Sequence, residues 1–336
     1  MSLRNIVTCF PLSENHADQI RKSMGADYRL IISSQEAIGE DIFAADIFCG
    51  HAKFLLDWPG VVNRGRLKWI QSSAAGLDHC LVPAVINSSI VVSGCSGLFA
   101  NQVAEQAVAL LAGLVRRLPL FFRAQQRKEY IRRPTDDLFG KVVGIVGFGG
   151  NGLRIAEVLR PLVGKIYATD AFPEFCSGQG SRRWINQILG PDGLETMLPK
   201  CDIVIVTLPL TAANENRISD GQFRKFKSGA YLINVGRGSV VNTESLIRTL
   251  QTGHLAGAGI DVVDPEPLPA DSPLWEMENV IITPHVGAQS ELRLPATVDL
   301  FCENISLFRS GKTLRNLVDK KLGFPRPEDR LDFDEN

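Results

Sequence analysis

Short apolar runs alternate along most of the chain with stretches in which apolar residues recur at helical spacing. That alternation marks parallel strands joined by crossover helices. In the first hundred residues it predicts strands at 5–10, 28–32, 47–49, 68–72 and 90–93, with helices between them, such as 14–24. A long helix follows from about 100 to 118, its apolar face made by Val103, Ala107, Leu110, Leu111 and Leu114. Its polar tail leads to a loop, 132–140, containing Pro134. After Lys141 the pattern changes. Residues 142–146 form a continuous apolar run, as a strand buried on both faces requires, and similar runs recur at 165–169, 203–207, 230–234, 258–262 and 280–283. These six strands predict a second, doubly wound sheet. A helix at 292–310 closes the pattern, and the polar tail from Arg326 is expected to be poorly ordered.

Composition narrows the class. The 336 residues, 45% hydrophobic and 22% charged, suffice for about two domains with separate cores. A net charge of -1 lacks the basic excess of nucleic-acid or anionic-membrane binders, and the pairs Arg116-Arg117, Arg132-Arg133 and Arg182-Arg183 are short enough to be solvated surface. Seven cysteines, with no C-x-x-C pair, predict neither a disulfide framework nor zinc. The first ten residues read as a strand without the features of a secretory signal, and no apolar run reaches membrane-spanning length, so a cytoplasmic protein is expected.

Chemistry enters at the strand 142–146. It leads into Gly147-Phe148-Gly149-Gly150-Asn151-Gly152, a G-x-G-x-x-G turn that opens a helix. Gly147 permits the tight turn, Gly149 lets the backbone approach a pyrophosphate, and Gly152 allows close packing of helix on strand. The next strand ends at Asp170, 18 residues beyond Gly152. A carboxylate there accepts hydrogen bonds from ribose hydroxyls and repels a 2′-phosphate, which favours NAD over NADP.

Three further segments fall at predicted carboxyl ends of strands: Asn234-Val235-Gly236-Arg237-Gly238, Asp261-Val262-Val263-Asp264-Pro265-Glu266-Pro267 and Thr283-Pro284-His285-Val286-Gly287. Each chemical residue has an ordinary structural reading when taken alone. Together, beside a nicotinamide, they suit reduction of a 2-oxo acid. Arg237 would hold the carboxylate and polarise the ketone, His285 would serve as acid/base, and Glu266 would stabilise the imidazolium. The five histidines are scattered without ligand spacing, so no metal is expected, and no G-x-S-x-G elbow is present.

These motifs, taken in order, closely resemble the D-isomer-specific 2-hydroxyacid dehydrogenase family over nearly the whole chain. The resemblance implies an α/β fold of two Rossmann-like or flavodoxin-like domains with doubly wound parallel sheets. It implies an NAD domain, 101–288, inserted into a substrate domain, 1–100 and 289–336, with a cleft that closes between them. It carries the Arg-Glu-His roles to Arg237, Glu266 and His285, and the nicotinamide carboxamide to Asp261. It places Thr207, Leu208, Pro209, Leu210, Val235, Gly236 and Gly287 along the cofactor, Thr207-Leu208 standing where His-Thr is frequent. Residues 73–78 look like the substrate loop, whose N–H groups at Ala75, Gly76 and Leu77 would hold the substrate carboxylate with Arg237. Residues 101–106 resemble the hinge; Gln106 stands where histidine is frequent and is given no role. Residues 114–140 match the region through which such enzymes form homodimers. His51, after a strand of the substrate domain, is a candidate for the far end of the substrate. Two other readings share the motifs: an NADP-preferring glyoxylate or hydroxypyruvate reductase, against which Asp170 argues, and a non-catalytic NAD-sensing corepressor. The chain has no length for a regulatory domain after Gly311, which disfavours a large allosteric phosphoglycerate dehydrogenase.

Overall fold

The computed structural model describes residues 3–175 and 183–331; Cys176, one of the seven cysteines, and Arg182, named above, lie outside them. The chain divides into two compact units, Met1–Leu98 with Ser290–Asn336, and Phe99–Gln289. In the first, strands β1 (Arg4–Cys9), β2 (Tyr28–Ile32), β3 (Ile47–Gly50), β4 (Trp69–Ser72) and β5 (Val91–Ser93) form one sheet. Its order is β2-β1-β3-β4-β5 and every pairing is parallel, a flavodoxin-like arrangement. The helix Arg293–Arg309 belongs to this unit because its apolar face completes the core. Phe301 and Phe308 lie 5.5 and 5.2 Å from the fully buried ring of Trp69. Under them Asn304 Nδ2 donates to Gln71 Oε1 (2.9 Å) and to the Arg315 carbonyl (3.1 Å), while its Oδ1 accepts from the Arg315 N–H (2.8 Å).

The tail departs from expectation. Strands β13 (Val318–Asp319) and β14 (Phe324–Pro325) pair antiparallel, and a 3-10 turn follows at Pro327–Asp329. Polar bonds add here to the burial of Val318 and Pro325. Lys320 Nζ donates to the carbonyls of Val85, Ser88 and Ile90, Arg326 pairs with Asp319, and the Asn316 N–H donates to Asp329 O. The expectation of a poorly ordered tail is therefore corrected for residues 326–331.

The second unit holds β6 (Val142–Val146), β7 (Lys165–Thr169), β8 (Gln187–Leu189), β9 (Ile203–Val206), β10 (Ala230–Asn234), β11 (Leu255–Ile260) and β12 (Val280–Ile282). The order is β12-β11-β10-β9-β6-β7-β8, again wholly parallel, with the switch point between β6 and β9. The sheet has seven strands rather than six, because β8 is short and half-exposed and carries no buried run. The predicted helix 100–118 is the helix Ala100–Val115, and a second helix, Leu118–Gln126, lies where a polar tail was expected. They part at Arg117, in the left-handed region (φ 53°), and Pro119 in the next first turn has no N–H to continue the earlier helix. β11 begins earlier than its apolar run suggests. Gly257 and Gly259 interrupt that run, and a Cβ on Gly259 would stand 2.9 Å from Leu110 Cβ, so glycine lets the helix Ala100–Val115 lie close on the sheet.

Candidate active site

The chemistry-bearing segments of the second unit sit where its strands end. Behind β6, Gly147 adopts φ 97°, and Thr207 Oγ1, beyond β9, donates to the Gly147 carbonyl (2.7 Å). A Cβ on Gly152 would overlap that same carbonyl, so the first turn of the helix Gly150–Leu159 presses on the strand exit. Gly149 has nothing within 4 Å of where a Cβ would stand, and the helix starts immediately after it. An open approach to backbone at a helix N-terminus suits a pyrophosphate. Asp170, just past β7, accepts from the Phe148 N–H (2.8 Å) and from the Phe172 N–H (2.9 Å), which fixes its buried carboxylate against the glycine turn. Phe148 is buried, whereas Asn151 is half-buried on the first helical turn. These residues fit a dinucleotide.

Two more close approaches extend the rim. A Cβ on Gly236 would stand 2.6 Å from Leu208 O, and one on Gly238 would overlap the carbonyl of Val263. Glycine on either side of Arg237 thus lets the loop after β10 lie against 207–209 on one hand and the start of the Glu266 loop on the other. Asn234 holds this loop from below: its Oδ1 accepts from the Gly236 N–H (3.1 Å) and its Nδ2 donates to the Arg237 carbonyl (3.0 Å). Val235 is buried and Arg237 half-buried, with Nη1 donating to Gly236 O (2.9 Å).

His285 Nδ1 lies 2.8 Å from Glu266 Oε1, both side chains being about two-fifths exposed at 41% and 44%. The histidine has φ 54°, a conformation that side chains seldom adopt without support. Asp261 supplies the support. Its carbonyl accepts from the His285 N–H (2.7 Å), its Oδ1 from the Val286 N–H (3.0 Å) and its Oδ2 from the Gly287 N–H (2.8 Å). Oδ1 also accepts from Thr283 Oγ1 (2.6 Å) and faces Gln106 Nε2 at 3.4 Å, and Gln106 donates to Thr283 Oγ1 at 2.8 Å. Asp261 and Thr207 therefore have intramolecular work that the sequence did not disclose, and Gln106, which was given no role, joins the network. Its signals were a donor side chain on the helix face turned toward the strand ends and a position where histidine is frequent.

In the first unit, Ser72 shapes the loop 73–78. The Ala74 N–H donates to Ser72 Oγ (3.1 Å), and the Cys95 N–H to Ala74 O (3.0 Å). Among the described residues, the N–H groups of Ala75, Gly76 and Leu77 donate to no other group of the chain. Three consecutive unspent donors suit an anion. His51 stacks on His79 with ring centroids 4.0 Å apart and planes at 15°, and His79 Nε2 lies 3.3 Å from Ser72 Oγ.

Among the described residues the cysteines offer no competing nucleophile. Six are free and buried, and burial pushes the thiols of Cys95 and Cys201 up to about 12. Among the described residues no group of three or more His, Cys, Asp or Glu is arranged to hold a metal, and no helix is long and apolar enough to cross a membrane.

Residues 108–287 match the NAD-binding domain of the D-isomer specific 2-hydroxyacid dehydrogenases. The chain belongs to that family. Glyoxylate reductase of Thermofilum pendens is 32% identical over 277 residues, which cover 79% of this chain and 79% of that protein. A D-isomer specific 2-hydroxyacid dehydrogenase family protein from Aeromonas salmonicida superposes with a TM-score of 0.78 at 26% identity, covering 95% of this chain and all of that one. A family member from Xanthobacter autotrophicus Py2, solved with NADPH and MES, has the same fold (TM-score 0.79, 23% identity, 96% of this chain and 100% of that one). The family's chemistry is NAD(P)-dependent interconversion of 2-oxo and 2-hydroxy acids, so this 2-hydroxyacid dehydrogenase is an oxidoreductase with a dinucleotide-binding domain.

Proposed function

We propose that the protein reduces a small 2-oxo acid to its D-2-hydroxy acid with NADH, and runs the reverse oxidation with NAD. The pairing of His285 Nδ1 with Glu266 at the sheet rim carries the reading. Bound NADH supplies the hydride to C2. With Nδ1 committed to Glu266, Nε2 of His285 is the atom that gives a proton to the developing alkoxide and takes it back in oxidation. Glu266 orients the ring and offsets the charge of the imidazolium. Arg237 binds the substrate carboxylate and polarises the ketone through its fixed fork. The N–H groups of Ala75, Gly76 and Leu77 contribute to carboxylate binding, and His51 is assigned to the far end of the substrate.

Residues 147–152, Asp170, 207–209, Val235, Gly236, Asp261 and Gly287 would hold the cofactor. Asp170 supports NAD: a 2′-phosphate would meet a buried carboxylate already held in place by two N–H groups. A homodimer through 114–140 is supported by Phe122, Tyr130 and Phe139, exposed at 57%, 94% and 92%, and sedimentation equilibrium tests it. Six reduced, buried thiols support a cytoplasmic setting.

The test is oxidation of NADH by the purified protein against glyoxylate, hydroxypyruvate, pyruvate and bulkier 2-oxo acids, repeated with NADPH. The expected result is turnover of at least one small 2-oxo acid, with kcat/KM at least ~10-fold higher for NADH than NADPH. No turnover with any acid overturns the catalytic reading; equal use of NADPH overturns the cofactor assignment.

A further inference from the structure

We infer that Gln106 is a positioning residue for His285, acting through Thr283 and Asp261; this rests on the acid/base reading of His285. Gln106 lies on the helix Ala100–Val115, by which the chain begins the second unit, while the turn 283–287 lies just before the chain leaves it. The two stretches meet in one polar chain. Gln106 Nε2 donates to Thr283 Oγ1 (2.8 Å), and Thr283 Oγ1 donates to Asp261 Oδ1 (2.6 Å). Asp261 in turn receives the N–H groups of His285, Val286 and Gly287.

The direction of this chain matters. A hydroxyl has one proton, and Thr283 has two neighbours. Because the Gln106 amide nitrogen can only donate, the threonine proton is sent to Asp261. That short bond, with the three N–H groups, holds His285 at φ 54° without a glycine. The stem of Gln106 also closes the turn from outside, its Cγ standing 3.6 Å from where a Cβ on Gly287 would be. An acceptor at position 106 would take the Thr283 proton away from Asp261. Gln106 touches no reacting atom in this account; it sets where the imidazole sits.

Four single variants and one double variant test this. Gln106→Met keeps the stem and removes the donor, and Gln106→Glu replaces the donor with an acceptor beside Asp261. Thr283→Val cuts the relay, and Thr283→Ser preserves it. Misplacing a catalytic group by a fraction of an ångström lowers kcat by roughly 10-fold, so that loss is expected in Gln106→Met and Thr283→Val, with a larger one in Gln106→Glu. KM for the 2-oxo acid should stay within about two-fold of wild type, and Thr283→Ser should recover most of kcat. The double variant Gln106→Met/Thr283→Val should be no slower than Thr283→Val, since both act through one hydroxyl. Hydrogen exchange at the amides of 285–287, measured without substrate, reads the same positioning and should quicken in Gln106→Glu. Unchanged kcat and exchange overturn the inference, as does a loss that falls equally on kcat, KM and melting temperature. If the wild type reduces no 2-oxo acid, the catalytic reading fails on its own and the exchange rates still decide whether Gln106 fixes the turn.

Discussion

Asp261→Asn isolates what one carboxylate does for the turn that carries His285. The side chain is 3% exposed, and its two oxygens serve Thr283 Oγ1, the N–H groups of Val286 and Gly287, and Gln106 Nε2. Asparagine has nearly the same shape but only one acceptor oxygen. With its amide nitrogen at the Oδ1 position it would confront the Val286 N–H and the Gln106 amide; at the Oδ2 position it confronts only the Gly287 N–H, so that orientation is cheaper. The minimum loss is then one charge-assisted hydrogen bond, ~1.5–3 kcal/mol, together with weakening of the other bonds to the strength of neutral ones. About 3 kcal/mol in total is expected, which lowers the melting temperature by ~6–12 °C for a domain of this size. Scanning calorimetry measures the first quantity and steady-state NADH oxidation the second, where kcat should fall with the disturbed His285. A variant that melts within about 1 °C of wild type and turns over normally would refute the claim that Asp261 holds the turn.

Other consequences follow from the same geometry. In Gly152→Ala the new methyl overlaps the Gly147 carbonyl, so the phosphate turn must shift and NADH affinity, read by fluorescence titration, should drop at least ~10-fold. An unchanged Kd contradicts that packing. Asn304→Leu removes three hydrogen bonds of a buried side chain and strands the Arg315 N–H; urea unfolding should register a loss of ~2–4 kcal/mol. Burial alone would raise the carboxyl of Asp202, but the Lys227 ammonium and the Val142 N–H outweigh it and hold the group below its ordinary value. A depressed folded-state value means stability that is present above the unfolded value and lost as pH falls through the folded one. The stability gap between wild type and Asp202→Asn should therefore close on acidification below the usual aspartate range; a gap that persists or widens there would contradict the assignment.

Elements buried on both faces were legible from their composition. Runs 142–146 and 230–234 read as strands and are strands, because burial leaves an unbroken apolar run as its trace. β8 left no such trace, and the break at Arg117 depends on one proline and one left-handed residue inside an otherwise helical pattern. The glycines were readable as turn-formers, yet which backbone each one meets is a tertiary fact: Gly236 against Leu208, Gly238 against Val263. His285 and Glu266 were expected together and lie 2.8 Å apart. Gln106 could not be assigned, since its partner Thr283 is 177 positions away and a donor on its helix face does not reveal what it meets. Asp261 shows the same limit from the other side. Position suggested a cofactor contact, whereas the hydrogen bonds reveal that its carboxylate also builds the histidine turn.

If the imidazole of residue 285 moves the proton, His285→Gln should lose that transfer while keeping the cofactor. Glutamine has comparable bulk and cannot act as an acid/base near neutral pH. NADH binding by the variant should match wild type, while hydride transfer in a single turnover, followed by stopped-flow with a 2-oxo acid that the wild type reduces, should slow by ~10²–10⁴-fold. Hydride transfer at the wild-type rate in His285→Gln would contradict the account.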